Sequence, residues 1–575
     1  MNKNRENDNV TQNQTETMRP FWIAFASGFC LVLSFHPFGL PLVGWLTPVG
    51  YLFLIHTTDL SARKPKTQIW FACFLNSMIL FQCVRLPHWA GYVGWPLLAS
   101  YLCCYPFLFV VLTRHAVQRW RSPMLIAAPI IWCGLELFQA RLFTGISLGM
   151  LSHTQVAFPI VIQVADVAGC YTISFLMVLI ATGLFQFGAL FFAVPNKRQK
   201  PIFGLSVAVG GLICLLLYGQ NRLENANQTA EEHQYRIALI QGAIDTQFPA
   251  DEKSMVEYIT RIRDQYVELS VSSRADSEVK LIIWPESMFL ALDAFSESET
   301  LSNEQDTNLR KYQQTLANAA RFACGAVMQA KNGQWVQANE AVPMLLGANS
   351  TRIEESGIYN SAIQIDINGK VTSRYSKMNL VLFGEYVPFG DRFPWLYNFF
   401  PMGAGMKPGT APTAMKLDSF IMSPNICFES TYPHLIRQQI SELASAGNPP
   451  DCLVNLSNDG WFWGSNALDL HLANNILRSV ENRIPSLIAA NTGFSGQIDS
   501  AGRIIKKGPR RAKEVVFVDM ITSPNRSTYA TVGDLPWILC LILVFVTFCD
   551  SIRIQFQSRK LQLQNRRDDV RNSSR

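Results

Sequence analysis

The chain has 575 residues, 49% apolar and only 16% charged, against about 25% charged in an ordinary soluble chain. Only 14 Asp, Glu, Lys and Arg fall between Pro20 and Gly219, too few to cover a water-facing surface, so both a disordered and a wholly soluble chain are excluded. The net charge of +6 is mild and no basic run interleaves with aromatics, which argues against a nucleic-acid partner.

In chain order, the polar residues 1–19 read as a disordered tail without the cleavage site of a signal peptide, so the apolar segment behind it is read as retained. Apolar stretches long enough to span a bilayer are expected at 20–36, 40–58, 68–84, 93–112, 123–140, 169–194 and 201–219, with an eighth at 534–551. This divides the chain into a membrane domain of about seven helices (20–219), a polar insert (220–533), a last span (534–551) and a basic tail (552–575). Basic residues mark one set of connections: Lys3, Arg5 and Arg19; Arg63, Lys64 and Lys66; Arg114, Arg119 and Arg121; Lys197, Arg198 and Lys200; and Arg553, Arg559 and Lys560. The other short loops carry only Arg85 and Arg141. The asymmetry places both termini in the cytoplasm and the insert on the far side.

Glu136, Arg141 and Asp166 are charges inside apolar sequence, where charge is costly. Two readings stand: interfacial residues with Arg141 snorkelling, or a loop over 141–168 that shapes an entrance for lipid headgroups.

The insert changes character. Strands are expected at Tyr235–Gln241, Val279–Trp284, Phe420–Ile426, Cys452–Leu456, Ser486–Ala490, Gly496–Asp499 and Val515–Val518, and a hairpin joins Ser361–Ile367 to Lys370–Tyr375 through Asn368-Gly369. Helices are expected at Glu252–Arg274, Asn308–Phe322 and Ala467–Glu481. Strands alternating with helices, with hairpins among them, predict a layered α/β domain with mixed sheets. Of 13 cysteines, eight precede Asn221, and there is no C-x-x-C and no Cys/His cluster at zinc spacing, so neither a disulfide framework nor a metal is expected. No phosphate-binding glycine loop lies between a strand and a helix, so no cofactor is expected either.

Four segments put reactive side chains just after apolar strands, where sites are commonly built. Glu286, in Trp284-Pro285-Glu286-Ser287, suits a general base if an apolar pocket raises its pKa; alternatively it is a solvated loop residue. Lys377, flanked by largely apolar residues, suits an oxyanion stabiliser, with Glu385 to orient it; alternatively it is an exposed lysine after a hairpin. Cys427, in Asn425-Ile426-Cys427-Phe428-Glu429-Ser430, suits a nucleophile or a buried structural thiol. Asn458 and Trp461, in Leu456-Ser457-Asn458-Asp459-Gly460-Trp461-Phe462, suit a site lining with an apolar mouth or a plain turn. A histidine partner for the cysteine is not evident, and His434 and His471 read as exposed helical residues.

Glu286, Lys377 and Cys427 in that order resemble the nitrilase superfamily and, within it, the apolipoprotein N-acyltransferases. The supporting words are Pro285-Glu286-Ser287, the run Tyr375–Phe389, Ile426–Ser430, Leu456–Phe462 and Arg478…Glu481…Arg483-x-Pro485…Asn491-Thr492-Gly493. Phe428 departs from the tyrosine frequent in that family, and the Glu286–Lys377 segment is long. The resemblance implies a multi-pass membrane domain plus an α-β-β-α sandwich, with Cys427 as nucleophile, Glu286 as base, Lys377 on the oxyanion, and Glu385 and Glu429 positioning them. It implies a phospholipid acyl donor, a diacylated apolipoprotein acceptor, a monomer and a bacterial inner-membrane location with the insert in the periplasm. Trp395, Phe399, Phe400, Trp461 and Trp463 would then face lipid or core, and Met402–Met406 a lid. A tethered amidohydrolase and a non-enzymatic lipid transporter are the rival readings.

Overall fold

The computed structural model describes residues 19–573 except 58–59, 61–63, 192–200, 230, 248–250, 299–300, 326, 330–334, 338–340, 356, 400–404 and 523–526. Residues 1–18, Phe400 and Met402–Ala404 of the expected lid therefore lie outside the described residues.

Apolar helices occupy all the segments where spans are expected, but not all have spanning length. Among the described residues five are long and apolar enough to cross a membrane: Gly91–Gln118, Met124–Arg141, Tyr171–Gly188, Pro201–Gln228 and Leu535–Asn565. The first three expected spans fall short. Arg19–Leu33 has 15 residues and Pro65–Leu80 has 16, while Pro41–His56 begins as a 3-10 turn. At 1.5 Å rise a 16-residue helix covers about 24 Å, less than the roughly 30 Å of a hydrocarbon core. Thr67, Gln68, Asn76 and Ser77 also dilute the third. Five of the eight expected spans are thus matched by long helices, and the other three by shorter apolar helices packed with them into one core.

The insert holds fifteen described strands: β1 (Glu231–Gln241), β2 (Val279–Ile283), β3 (Phe289–Phe295), β4 (Val327–Gln329), β5 (Trp335–Gln337), β6 (Met344–Arg352), β7 (Tyr359–Ile365), β8 (Val371–Ser376), β9 (Met415–Leu417), β10 (Phe420–Ile426), β11 (Cys452–Ser457), β12 (Ser486–Ala490), β13 (Gly496–Ile498), β14 (Ile504–Lys507) and β15 (Glu514–Thr522). One sheet runs β15-β1-β2-β6-β7-β8 with β3 on β6; the other runs β14-β13-β12-β11-β10-β9; β4 and β5 pair apart. Both large sheets are mixed. β1–β2, β10–β11 and β11–β12 are parallel, and their outer pairs are antiparallel.

Strand alternation sets the layers. Ile237 and Leu239 of β1 pack between the sheets with Leu281, Ile283, Val454 and Leu456, while Ala238 and Ile240 face helices Glu252–Ser273 and Asn303–Ala323. Helices Pro433–Ser445 and Ala467–Asn482 cover the second sheet, completing an α-β-β-α sandwich. Helix Ala467–Asn482 is also the seat on the membrane domain. Leu470, Ile476, Leu477 and Val480 join Ile162, Ala165 and Cys170 in a single core.

Of the charges in apolar sequence, Asp166 belongs to this junction, while Arg141 and Glu136 find partners elsewhere. Asp166 accepts from Arg483 (2.7 Å), Arg222 (2.6 Å) and the Tyr218 hydroxyl (2.6 Å). Glu481, bound by Arg478 (2.7 Å), also accepts the Cys170 N–H (2.7 Å). Arg141 pairs with Asp534 at the start of the last helix. Glu136 accepts from Trp132 Nε1 (3.0 Å) and the Leu151 N–H (3.1 Å). The 141–168 segment is a largely buried support for the insert, with Gln163 donating to the Ala501 carbonyl (2.8 Å).

Candidate active site

Glu286, Lys377 and Cys427 follow the ends of three strands, β2 and β8 of the first sheet and β10 of the second. β2 runs straight into Pro285-Glu286, whose backbone lies against β6 at Gly347. A Cβ there would sit 2.3 Å from the Pro285 carbonyl, so that close approach requires glycine. β8 ends at Ser376 and delivers Lys377. β10 ends at Ile426, and Cys427 opens a 3-10 turn over Cys427–Thr431 with a left-handed φ of +50°. Such a conformation costs a non-glycine residue about 1 kcal/mol or more and persists only when its surroundings hold it.

The charges form a closed network. Lys377 is 1% exposed, and its Nζ donates to Glu385 Oε1 (2.9 Å) and reaches Glu286 Oε1 (3.4 Å). Asn360 Nδ2 bridges both carboxylates, at 2.7 Å to Glu286 and 2.8 Å to Glu385. The Asn458 N–H donates to the other Glu286 oxygen (2.9 Å), and the Val381 N–H to the other Glu385 oxygen (2.8 Å). Glu286 therefore sits among donors rather than in the apolar pocket expected. Burial opposes the Lys377 charge, but Glu385 and Glu286 outweigh it and hold its pKa well above the usual lysine value. Burial and then the Glu286 charge push the Cys427 thiol well above its usual value, and Lys377 pulls against them. The cysteine residue itself is half-buried.

Glu429 fastens the turn at Cys427 to the loop that follows Lys377. One oxygen accepts the N–H groups of Met378 (2.7 Å) and Asn379 (3.0 Å); the other accepts the Ile426 N–H (2.8 Å); the Tyr375 hydroxyl spans both. Burial raises its pKa, with Lys377 opposing. Asn458 is held through its side chain by Asn491 Nδ2 (2.9 Å), and Trp461 is half-buried in the turn Asp459–Phe462. Phe428 lies edge-on to Tyr432, with ring centroids 5.6 Å apart. Trp395 (57%), Phe399 (50%) and Trp463 (54%) are exposed, so they are surface aromatics rather than core.

Two residues of this region are not foreseen from sequence. Asn360 lies inside β7, a strand buried along its whole length, and a polar residue there is the signal that was available. His471 is not exposed as expected. It is buried, with Nε2 2.7 Å from the Cys427 carbonyl oxygen. His434 is half-buried against the Tyr432 ring. Among the described residues, no group of three or more His, Cys, Asp or Glu is placed to hold a metal ion.

Two family models match: the apolipoprotein N-acyltransferase N-terminal domain over residues 27–183 and carbon-nitrogen hydrolase over residues 236–525. The chain is 28% identical to an apolipoprotein N-acyltransferase of Rhodopirellula baltica, covering 90% of this chain and 94% of that one. It is also 28% identical to one of Geobacter metallireducens, over 90% and 92%. An amidase structure from Nesterenkonia sp. is similar at 16% identity and a TM-score of 0.32, covering 51% of this chain and 92% of that one. The chain thus belongs to the carbon-nitrogen hydrolase family, in the form whose N-terminal part is an apolipoprotein N-acyltransferase domain.

Proposed function

We propose that this enzyme takes an acyl chain from a membrane phospholipid, holds it as a thioester on Cys427, and passes it to the N-terminal amino group of the diacylglyceryl-cysteine of an apolipoprotein. The observation that carries the reading is the buried Glu286–Lys377–Glu385 network, whose charges act on the half-buried Cys427, in a domain packed against long apolar helices. The relatives' shared name supports the acceptor class.

In the first half-reaction Glu286 takes the thiol proton as Sγ attacks the ester carbonyl. Lys377 faces the developing oxyanion. The ester C–O bond then breaks, and the proton on Glu286 goes to the departing lysophospholipid oxygen. In the second half the acceptor amine attacks the thioester and Glu286 takes its proton; as the C–S bond breaks, that proton passes from Glu286 to the departing Sγ, which restores the thiol and the free carboxylate. Splitting the transfer this way gives ping-pong kinetics. Glu385 and Asn360 keep Lys377 charged and aimed, while Glu429 holds the lysine loop on the nucleophile turn. Asn458 orients Glu286 through its N–H, and Trp461 shapes the mouth. Trp395, Phe399 and Trp463 offer an aromatic surface suited to the membrane interface.

The same proposal places the enzyme as a monomer in a bacterial inner membrane; the Lys/Arg asymmetry supports only its orientation, with both termini cytoplasmic and the insert periplasmic. The test supplies phospholipid vesicles and a synthetic diacylated lipopeptide to the purified chain. N-acylated peptide together with lysophospholipid is expected. Free fatty acid without acylated peptide would replace the transferase reading by a tethered hydrolase.

A further inference from the structure

His471 has an acceptor at each ring nitrogen. Nε2 lies 2.7 Å from the Cys427 carbonyl oxygen, and Nδ1 lies 3.0 Å from Asp459 Oδ1. A carbonyl oxygen only accepts and an ionised carboxylate only accepts, so both nitrogens must carry hydrogen. The Ser457 hydroxyl, also near Nδ1 (3.3 Å), donates instead to Asp459 (2.8 Å) and so leaves Nδ1 to donate as well. The ring is buried and its charge is matched by Asp459. Asp459 in turn abuts Gly493, where a Cβ would come 2.0 Å from its Oδ2.

The carbonyl that His471 holds is that of the left-handed nucleophile. Asn455 Nδ2 (3.1 Å) and the Ser430 hydroxyl (3.3 Å) donate to the same oxygen. Three donors converging on one carbonyl fix the orientation of the Cys427–Phe428 peptide, which the positive φ at Cys427 would not hold unaided.

We propose that His471 is a positioning residue of the transfer reaction: an imidazolium clamped between Asp459 and the Cys427 carbonyl, which locks the nucleophile turn and neutralises Asp459 beneath the thiol. This deepens the acyl-transfer reading and rests on it for its purpose. The charged groups that act on this pair are Asp459 from the turn after β11, Glu286 from the end of β2 and, through the thiol, Lys377 from the end of β8. With His471 neutral or absent, the Asp459 charge faces the thiol uncompensated and makes its ionisation harder.

Two measurements decide it, and neither needs lipid or acceptor, so their failure is distinct from a failure of acyl transfer. Exchange of the imidazole C2 hydrogen for deuterium is followed against pH on the His471 peptide of the intact wild-type chain. A midpoint above the ordinary value of about 6.5 is expected, and one at or below it overturns the proposal. Iodoacetamide labelling of the Cys427 peptide is then followed against pH in wild type and in His471→Gln, whose amide keeps one donor without the charge. The midpoint is expected to rise by about one pH unit, slowing labelling roughly tenfold at neutral pH. A lowered melting temperature with a wild-type labelling midpoint would reduce His471 to packing and overturn the proposal. If His471→Gln does not fold, the exchange midpoint of the wild-type chain decides alone.

Discussion

Two helices of the sandwich differ in one respect that explains much of the molecule. Asn303–Ala323 buries only Leu316, Ala320 and Ala323 of its 21 residues. Ala467–Asn482 buries 14 of 16, polar and charged ones included. The first is an ordinary amphipathic helix with one face on the first sheet and one in solvent. The second lies between the second sheet and the membrane core, so it has no solvent face, and each of its ionic groups needs a protein partner. Arg478 and Glu481 find each other, while the neighbouring Arg483 finds Asp166. His471, on the same helix, meets Asp459 and the Cys427 carbonyl. One buried helix thus touches both the apolar helical core and the turn that carries Cys427.

The contrast is open to attack on both sides. Glu481→Gln leaves Arg478 buried without its counter-charge and is expected to cost about 3–5 kcal/mol, read as a large fall in melting temperature or loss of folded protein. A melt within one degree of wild type would contradict the seat. Lys377→Met is expected to slow acyl-enzyme formation by about 10²–10³-fold, as removal of an oxyanion donor does; a rate near wild type would remove Lys377 from the chemistry.

His434 gives a smaller effect with a defined sign. Burial and then Arg141 lower its pKa from 6.5 to about 4. The folded ring stays neutral where the unfolded one protonates, so its contribution is fully present above pH 6.5 and is lost as pH falls toward 4. His434→Gln should therefore flatten the acid side of the melting profile. An unchanged slope would show that His434 takes its proton freely. Smallest of all, Arg310→Met on the exposed helix breaks an open pair with Asp306 and should change stability by less than about 0.5 kcal/mol.

The sequence was legible where local pattern decides. Glu286, Lys377 and Cys427 each follow an apolar strand, and the hairpin of β7 and β8 announces itself by Asn-Gly. Long-range pairing was not legible. Asn360 touches Glu286 74 residues away, and His471 reaches Cys427 across 44, distances over which no periodicity carries information. Hydropathy registers apolar length but not where a helix begins or ends, so three of the eight expected spans are met by helices shorter than the apolar stretch. Pro41–Leu46 is a 3-10 turn, and Arg19–Leu33 stops at 15 residues. The charges at 136, 141 and 166 were visible as anomalies, but only the fold supplied their partners.

The central claim is a thioester on Cys427. The purified chain is incubated with phospholipid, beside Cys427→Ala, and both intact masses are read. A gain of one acyl chain, removed by neutral hydroxylamine and absent from Cys427→Ala, is the predicted result. No gain in the wild-type chain with bound phospholipid demonstrated, or an equal gain in Cys427→Ala, would contradict acyl transfer through this cysteine.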